Sequence, residues 1–182
     1  MRIHIFIMAL AGFVAAGCVR QSDSTNSPSS RSTVQVQSIS SEYLPLLDKE
    51  QQAAVGGLLA DSIGWRLAVD SDNSNSRLTA VRQEIPSYHP YLLQSDIDMD
   101  GRKDLAVALL RDSTISLYWF SKMDSGYSKP NWLGQATWFD ECGFAENPQP
   151  GQLFFARFDS DDGLFFHWDS SRHVLAESLD AE

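Results

Sequence analysis

The chain has 182 residues, of which 43% are hydrophobic and 21% charged, and its formal net charge is −10 at pH 7. An acidic chain is a poor candidate for binding nucleic acid, because phosphate recognition needs a basic patch. The stretch that follows Tyr43 has roughly 140 residues, which suffices for one domain with a real core.

The first 17 residues have the pattern of a secretory signal peptide. Arg2 supplies a basic start, an apolar run follows (IHIFIMALAGFVAA), and small residues precede Cys18. The run is too short to span a membrane as a helix. We therefore expect residues 1–17 to be removed and to play no part in the fold.

Residues 15–18 (AAGC) resemble the lipobox of bacterial lipoproteins. The resemblance implies that the Cys18 thiol is diacylated, that the new amino terminus is acylated, and that these chains anchor the protein stably to a membrane. Val19 stands where an inner-membrane retention signal has Asp, which implies the outer membrane of the cell envelope, facing the periplasm. The alternative is an ordinary cleavage site beside a chance cysteine.

Ser, Thr, Gln and Asn dominate residues 20–41 (RQSDSTNSPSSRSTVQVQSISS). Such a segment buries too little apolar area to offset its ordering entropy. We expect a lipidated cysteine and flexible tether over residues 18–42, followed by one globular domain over residues 43–182.

A helix is predicted at the start of that domain. Asp48 and Gln51 have the spacing of a capping box, and Gly64 is a stop signal. One face collects the apolar positions Val55, Leu58 and Leu59, with Ser62 or Ile63. This pattern predicts an amphipathic helix that packs on a sheet.

From Trp65 onward the apolar pattern changes to period two, which is typical of strands. The predicted strands are WRLAV, LTAVR, LAVALL, TISLYWF, QATWF, QLFFARF, GLFFHW and HVLAES, with a turn at Asp112-Ser113. The predicted fold is α+β and β-rich: an N-terminal amphipathic helix packed on an antiparallel, hairpin-rich sheet, with a strand-loop-strand calcium motif at its centre.

That motif is the loop between two apolar strands, SDIDMDGRKD. Asp96, Asp98 and Asp100 occupy positions 1, 3 and 5, Arg102 offers its carbonyl at position 7, and Asp104 stands at position 9. A divalent cation would turn the mutual repulsion of these carboxylates into attraction, and calcium suits oxygen ligands better than zinc does. The alternative is a solvated acidic turn.

An EF-hand is excluded, because position 12 is Val107 and not Glu. The stretch SDIDMDGRKDLAVALL resembles the aspartate loop of FG-GAP and VCBS-type repeats of integrin-like propellers, with Ser95 in place of the usual Gly. It also resembles small secreted bacterial proteins that carry one such loop in a stand-alone domain. The resemblance implies that the four aspartates bind calcium.

Other residues suggest weaker hypotheses. Lipidation of Cys18 excludes a disulfide with Cys142, which is interpreted as a buried, inert thiol unless His167 or His173 activates it. His167 and Asp169 are expected to make a local polar contact. The acidic cluster of Asp159, Asp161 and Asp162 is interpreted as a hairpin turn. The aromatic residues Trp132, Trp138 and Phe144 form either an interface or core.

Two functions are compatible with these features. The first is a non-enzymatic outer-membrane lipoprotein whose calcium-stabilised domain binds a protein or surface polymer, or has a structural role. The second is a metal-dependent phosphohydrolase, because DMDG resembles the nucleophile loop of haloacid-dehalogenase-like phosphatases, with Asp98 as nucleophile and Asp100 as acid/base. That family expects Thr or Val where Arg102 stands, and a βα chain downstream where hairpins are predicted.

Overall fold

Antiparallel strands account for most of the regular structure in the computed structural model, which describes residues 39–137, 139–146, 149–158, 160 and 162–178. The predicted signal peptide, the lipidation site Cys18 and the tether as far as residue 38 lie outside the described residues. So do Trp138, Asp159 and Asp161.

The largest sheet has five strands: β1 (Arg66–Leu67), β2 (Leu92–Ser95), β3 (Asp104–Arg111), β4 (Thr114–Phe120) and β7 (Asn131–Ala136). Four of them lie in the order β1-β3-β4-β7, and β2 also pairs with β3. Every residue of β3 except Arg111 is buried, because the strand is apolar on both faces and has neighbours on both sides. β3 is therefore the central strand of this sheet.

Two smaller antiparallel sheets complete the architecture. One is a short hairpin of β5 (Lys122–Met123) and β6 (Gly126–Tyr127). The other has four strands: β8 (Cys142–Phe144), β9 (Gln152–Arg157), β10 (Gly163–Asp169) and β11 (Val174–Glu177). The order of these four strands is β11-β10-β9-β8. Phe144, Phe155 and Phe166 bring the four-stranded sheet into the same core as β3 and β4.

The prediction of an α+β fold with an N-terminal helix packed on a sheet is wrong. The described residues contain only two short α-helices, α1 (Lys49–Asp61) and α2 (Ser76–Glu84), and the fold consists mostly of antiparallel sheets. Helix α1 begins at the capping box of Asp48 and Gln51, and it buries Val55 in the core. Its main neighbouring element, however, is β6 of the short hairpin and not the large sheet. At about 20 Å long, α1 is too short to cover a five-stranded layer.

The predicted strand LTAVR is also wrong, because these residues lie in α2. Asn75 caps the helix by accepting a hydrogen bond from the Arg77 N–H at 2.8 Å. Leu78 and Val81 are three residues apart, and both are buried with Tyr88 in a small separate cluster. A spacing of three places them on one helical face, which a strand with period two would not do.

Two boundaries also differ from the prediction. Helix α1 ends at Asp61, before the expected stop at Gly64. Strand β7 begins at Asn131 and ends at Ala136, so it contains only the first two residues of the predicted strand QATWF. None of the helices in the described part of the chain is both long and apolar enough to cross a bilayer.

Candidate metal centre

The aspartate loop joins β2 to β3, and the pairing of Ser95 with Asp104 closes its base. Both strands are held in the large sheet, so the ends of the loop are fixed. Within the loop the backbone turns through positive φ at Met99 (61°) and Gly101 (86°). Glycine adopts this conformation without the cost that a side chain incurs, and this suits Gly101 to the sharp turn.

Three of the predicted ligands lie together. Asp96, Asp98 and Asp104 each offer a carboxylate oxygen, and these oxygens all lie within 4.8 Å of one another. Asp104 is completely buried. The Oδ1 atom of Asp96 is also buried and accepts no hydrogen bond from any described residue. A buried carboxylate oxygen without a donor is costly, and a cation beside it would remove that cost.

Asp104 organises the loop. Its Oδ2 accepts the backbone N–H groups of Ile97 (2.9 Å) and Asp98 (3.0 Å), and its Oδ1 accepts that of Lys122 (2.8 Å). Burial raises the pKa of the Asp104 carboxyl, and the charge of Asp98 adds to this shift, while the backbone hydrogen bonds oppose it. The side chain thus links the loop to the start of β5.

The other two cluster carboxylates also bind the loop to itself and to its surroundings. Asp96 Oδ2 accepts the Gly101 N–H at 3.1 Å. Asp98 accepts the Asp100 N–H at 3.3 Å and the Ser121 hydroxyl at 2.5 Å. These bonds hold the carboxylates in position and leave Asp96 Oδ1 as the oxygen that lacks a described donor.

Asp100 is not part of the cluster. Its carboxylate accepts the backbone N–H (2.9 Å) and the Nε–H (2.8 Å) of Arg102, whose Nη1 lies 2.6 Å from Asp124. The hydrogen bond from the Arg102 guanidinium lowers the pKa of the Asp100 carboxyl. The sequence assigned Arg102 only a carbonyl role, so the use of its side chain as an internal cation was missed.

Ser121, Lys122 and Asp124 were missed as well. They lie in or next to the β5–β6 hairpin and contact the loop from a distant part of the chain. No local pattern in the loop predicts them, because the contacts depend on how β4 returns the chain to the start of β3.

Cys142 lies in surroundings that do not favour its thiolate form. Burial raises the pKa of the Cys142 thiol, and the charges of Asp140 and Glu141 raise it further. A thiol in such surroundings stays protonated and is a poor nucleophile. His167 Nδ1 lies 2.9 Å from the Ser178 hydroxyl, and the ring of His173 lies edge-on to Trp168.

The expected contact between His167 and Asp169 is replaced by other bonds. Asp169 accepts the backbone N–H and the hydroxyl of Ser171, at 3.0 and 2.6 Å. The Ser171 side-chain hydrogen bond lowers the pKa of the Asp169 carboxyl. Of the aromatic residues predicted to form either an interface or core, Phe144 belongs to the core, being 1% exposed, whereas Trp132 is 60% exposed.

A second polar cluster, centred on the buried Asp70, was not predicted. Asp70 accepts the Tyr43 hydroxyl at 2.6 Å, and its Oδ2 lies 2.8 Å from His89 Nδ1 and 3.2 Å from Arg82. Asp70 and Arg82 also line a surface cleft of about 380 Å3. The partners come from separate segments, so no local pattern in the sequence could identify this cluster.

The side chains that lie together in the aspartate loop offer only carboxylate oxygens. Hard cations such as calcium and magnesium prefer this set, while zinc prefers nitrogen and sulfur. The structure brings together an acidic cluster of Asp96, Asp98 and Asp104, whose oxygen atoms suit a hard cation better than zinc. Comparisons of the chain with protein-family models, with curated proteins and with solved structures found no match.

Proposed function

We propose that this protein is a non-enzymatic lipoprotein, anchored to the outer membrane through Cys18, whose folded domain is stabilised by calcium and binds a partner at the cell envelope. The observation that carries the calcium proposal is the buried Oδ1 of Asp96, which has no donor among the described residues. It lies in a cluster with the carboxylates of Asp98 and Asp104. One divalent cation would satisfy this oxygen and reduce the repulsion within the cluster.

Asp96, Asp98 and Asp104 would hold the ion together with the carbonyl of Arg102. Asp100 would join them after leaving the guanidinium of Arg102, with which it forms an ion pair at 2.6 Å. Calcium accepts six to eight oxygen ligands in flexible geometry, whereas magnesium demands a near-ideal octahedron and gives up water reluctantly. The loop therefore favours calcium.

Three further observations support this role. AAGC at residues 15–18 resembles a lipobox, and SDIDMDGRKD resembles the aspartate loop of FG-GAP and VCBS-type repeats. The hydrogen bonds from Ser121 and Asp100 to Asp98 use that carboxylate to hold the loop rather than to present it to a substrate. These features favour a stabilising ion over a catalytic one.

Thermal unfolding of the mature protein, which begins at Cys18, in chelator, calcium and magnesium tests the proposal. Calcium at a hundred times its dissociation constant stabilises the native state by about 2.7 kcal/mol, because the ion binds the folded loop and not the unfolded chain. Magnesium is expected to do much less. Arg102→Ala is expected to keep or enlarge the calcium shift, since its guanidinium competes with the ion for Asp100.

The Asp96→Ala variant distinguishes a calcium site from an acidic turn more sharply than the native chain alone. In chelator the variant should unfold at the same temperature as the native chain or higher, because one repelling charge is gone. In calcium the variant should unfold at a lower temperature than the native chain. Asp61→Ala, which removes an exposed acid at the end of α1, is the control and should retain the full shift. Identical curves in all three solutions contradict the calcium site, and turnover of p-nitrophenyl phosphate that Asp98→Asn abolishes contradicts the non-enzymatic role.

A further inference from the structure

Met99 lies on the aspartate loop between two of the predicted ligands, Asp98 and Asp100. Its side chain is 64% exposed, so a small reagent in solution can reach the sulfur. The sequence contains four methionines, and two of them, Met1 and Met8, lie in the predicted signal peptide. The mature protein would therefore contain only Met99 and Met123.

The thioether of Met99 packs on the backbone at Gly151, the residue that precedes β9. A Cβ atom added to Gly151 would lie 2.8 Å from Met99 Sδ, which is closer than two such atoms normally approach. Gly151 also has a φ of 77°, which glycine adopts without the cost that a side chain incurs. The contact therefore requires glycine, and it leaves no space for a further atom between the sulfur and this backbone.

Gly151 connects the aspartate loop to the four-stranded sheet. Its N–H donates to the Asp96 carbonyl at 3.2 Å, and its carbonyl accepts the N–H of Trp168 in β10 at 2.8 Å. Asp96 is the residue whose buried Oδ1 has no donor among the described residues. Met99 thus packs against a backbone link that holds one of the candidate calcium ligands in position.

This packing should raise the affinity of the loop for an ion. A site that is held in place before the ion arrives binds it more tightly, because less order has to be imposed on binding. Loss of the contact between Met99 and Gly151 would leave the backbone at Asp96 less firmly held. A chemical change at the Met99 sulfur is therefore expected to lower calcium affinity.

Peroxides make such a change, because they oxidise an exposed thioether to a sulfoxide. A lone pair of the sulfur attacks one peroxide oxygen, and the O–O bond breaks as the S–O bond forms. The second oxygen leaves as hydroxide, takes the proton of the first and becomes water. The sulfur loses two electrons and the peroxide gains them. The product is polar, whereas the thioether is apolar.

We propose that Met99 is an oxidation site through which peroxides lower the calcium affinity of the aspartate loop. An added oxygen has no space on the side of Gly151, and its hydration draws the side chain away from this contact. The inference rests on the calcium site of the proposed function and names a way in which that site would be regulated. Methionine sulfoxide reductases return a sulfoxide to the thioether, so the change is reversible.

Met123 is the competing oxidation site. It is 44% exposed and lies in the β5–β6 hairpin, next to Lys122, whose backbone N–H donates to Asp104. Its strand partner is Gly126 of the same hairpin and not a residue of the aspartate loop. Oxidation of Met123 should therefore leave calcium affinity unchanged.

Calorimetric titration of the mature protein with calcium, before and after treatment with hydrogen peroxide, tests this inference. Peptide mass spectrometry identifies which methionine has gained an oxygen. Oxidation of Met99 is expected to weaken calcium binding by about fivefold, the effect of losing one methionine contact. Subsequent treatment with a methionine sulfoxide reductase should restore the affinity.

Two substitutions separate the methionines. Met99→Leu keeps an apolar side chain of similar size without a sulfur, and its calcium affinity should not respond to peroxide. Met123→Leu is the matched control and should respond as the native protein does. Cys18 and Cys142 are present in both variants, so an effect of cysteine oxidation would persist in Met99→Leu.

Calcium binding that stays unchanged after Met99 has been oxidised overturns the inference. So does a loss of affinity that persists in Met99→Leu or disappears in Met123→Leu, because another side chain would then be responsible. It is also overturned if hydrogen peroxide oxidises Met123 and leaves Met99 intact. These results leave the calcium site standing, whereas a protein that binds no calcium before oxidation contradicts the proposed function and this inference with it.

Discussion

Asp70 is a buried carboxylate with partners from three other segments of the chain. Tyr43 precedes α1, Arg82 lies in α2, and His89 lies in the loop before β2. Tyr43 is fully buried, and its ring also lies edge-on to His89 with centroids 5.6 Å apart. Burial and the hydrogen bond to Asp70 raise the pKa of the Tyr43 hydroxyl, which keeps it protonated as a donor. The Asp70 side chain therefore fixes the start of the domain, at Tyr43, to its interior.

Removal of this carboxylate should be costly. Asp70→Ala leaves the Tyr43 hydroxyl buried without its acceptor, and we expect a loss of about 3 kcal/mol in the free energy of unfolding. Arg82 is half-exposed and adds little to that loss. Tyr43→Phe should cost about 1 kcal/mol, because Asp70 keeps its other partners. Urea denaturation measures both changes, with Asp61→Ala as a surface control within about 0.5 kcal/mol of the native chain. Equal effects of Asp70→Ala and Asp61→Ala would refute this role.

At the scale of elements, local pattern and nonlocal packing determine different features. LAVALL and TISLYWF form β3 and β4. TISLYWF is rich in β-branched and aromatic residues that favour strands, and LAVALL is a short apolar run bounded by turn residues. LTAVR has too few residues to distinguish period two from period three, and the cap at Asn75 decides for a helix. The division into three sheets is not encoded in any one segment, so the single-sheet prediction failed.

The candidate site also combines features that the local sequence pattern predicts with features that depend on nonlocal packing. Spacing alone places Asp96, Asp98 and Asp104 on one loop, because motif positions are counted along the chain. The sequence does not reveal that Asp100 pairs with Arg102, since two neighbouring opposite charges are compatible with either an ion pair or a metal ligand. The contacts from the β5–β6 hairpin are nonlocal and could not be predicted from the motif.

These contacts connect the loop to other elements. Ser121 and Lys122 donate to the loop carboxylates, Arg102 pairs with Asp124, and Lys122 pairs with Glu50 of α1. Calcium should therefore slow amide hydrogen exchange in residues 121–127 and in the first turn of α1, as well as in residues 96–104. Exchange in α2 should not change.

Hydrogen exchange measured by mass spectrometry in calcium and in chelator makes this comparison. Asp96→Ala is the matched control and should remove the calcium effect from all three segments. Protection confined to residues 96–104 would show that the ion acts only on its own loop. In that case the hydrogen bonds to the hairpin would carry no coupling between elements.

At the scale of the whole molecule, the net charge opposes membrane association, whereas the proposed lipid anchor favours it. A net charge of −10 repels the chain from anionic membrane surfaces, so the domain has no electrostatic attraction to lipid of its own. Under the proposed function, membrane association would depend on acyl chains at Cys18, and more than one chain makes such an anchor stable.

Cys18→Ser should therefore release the protein completely. The native protein is expected to partition into the detergent phase of Triton X-114 and to stay with membranes in high salt, because salt screens charges and does not weaken an acyl anchor. The variant is expected in the aqueous phase or as an uncleaved precursor. Cys142→Ser, which alters the buried thiol, is the matched control and should partition like the native protein. Unchanged detergent partitioning of Cys18→Ser would refute the lipid anchor, and loss of the native protein from membranes in high salt would show that ionic contacts hold it there.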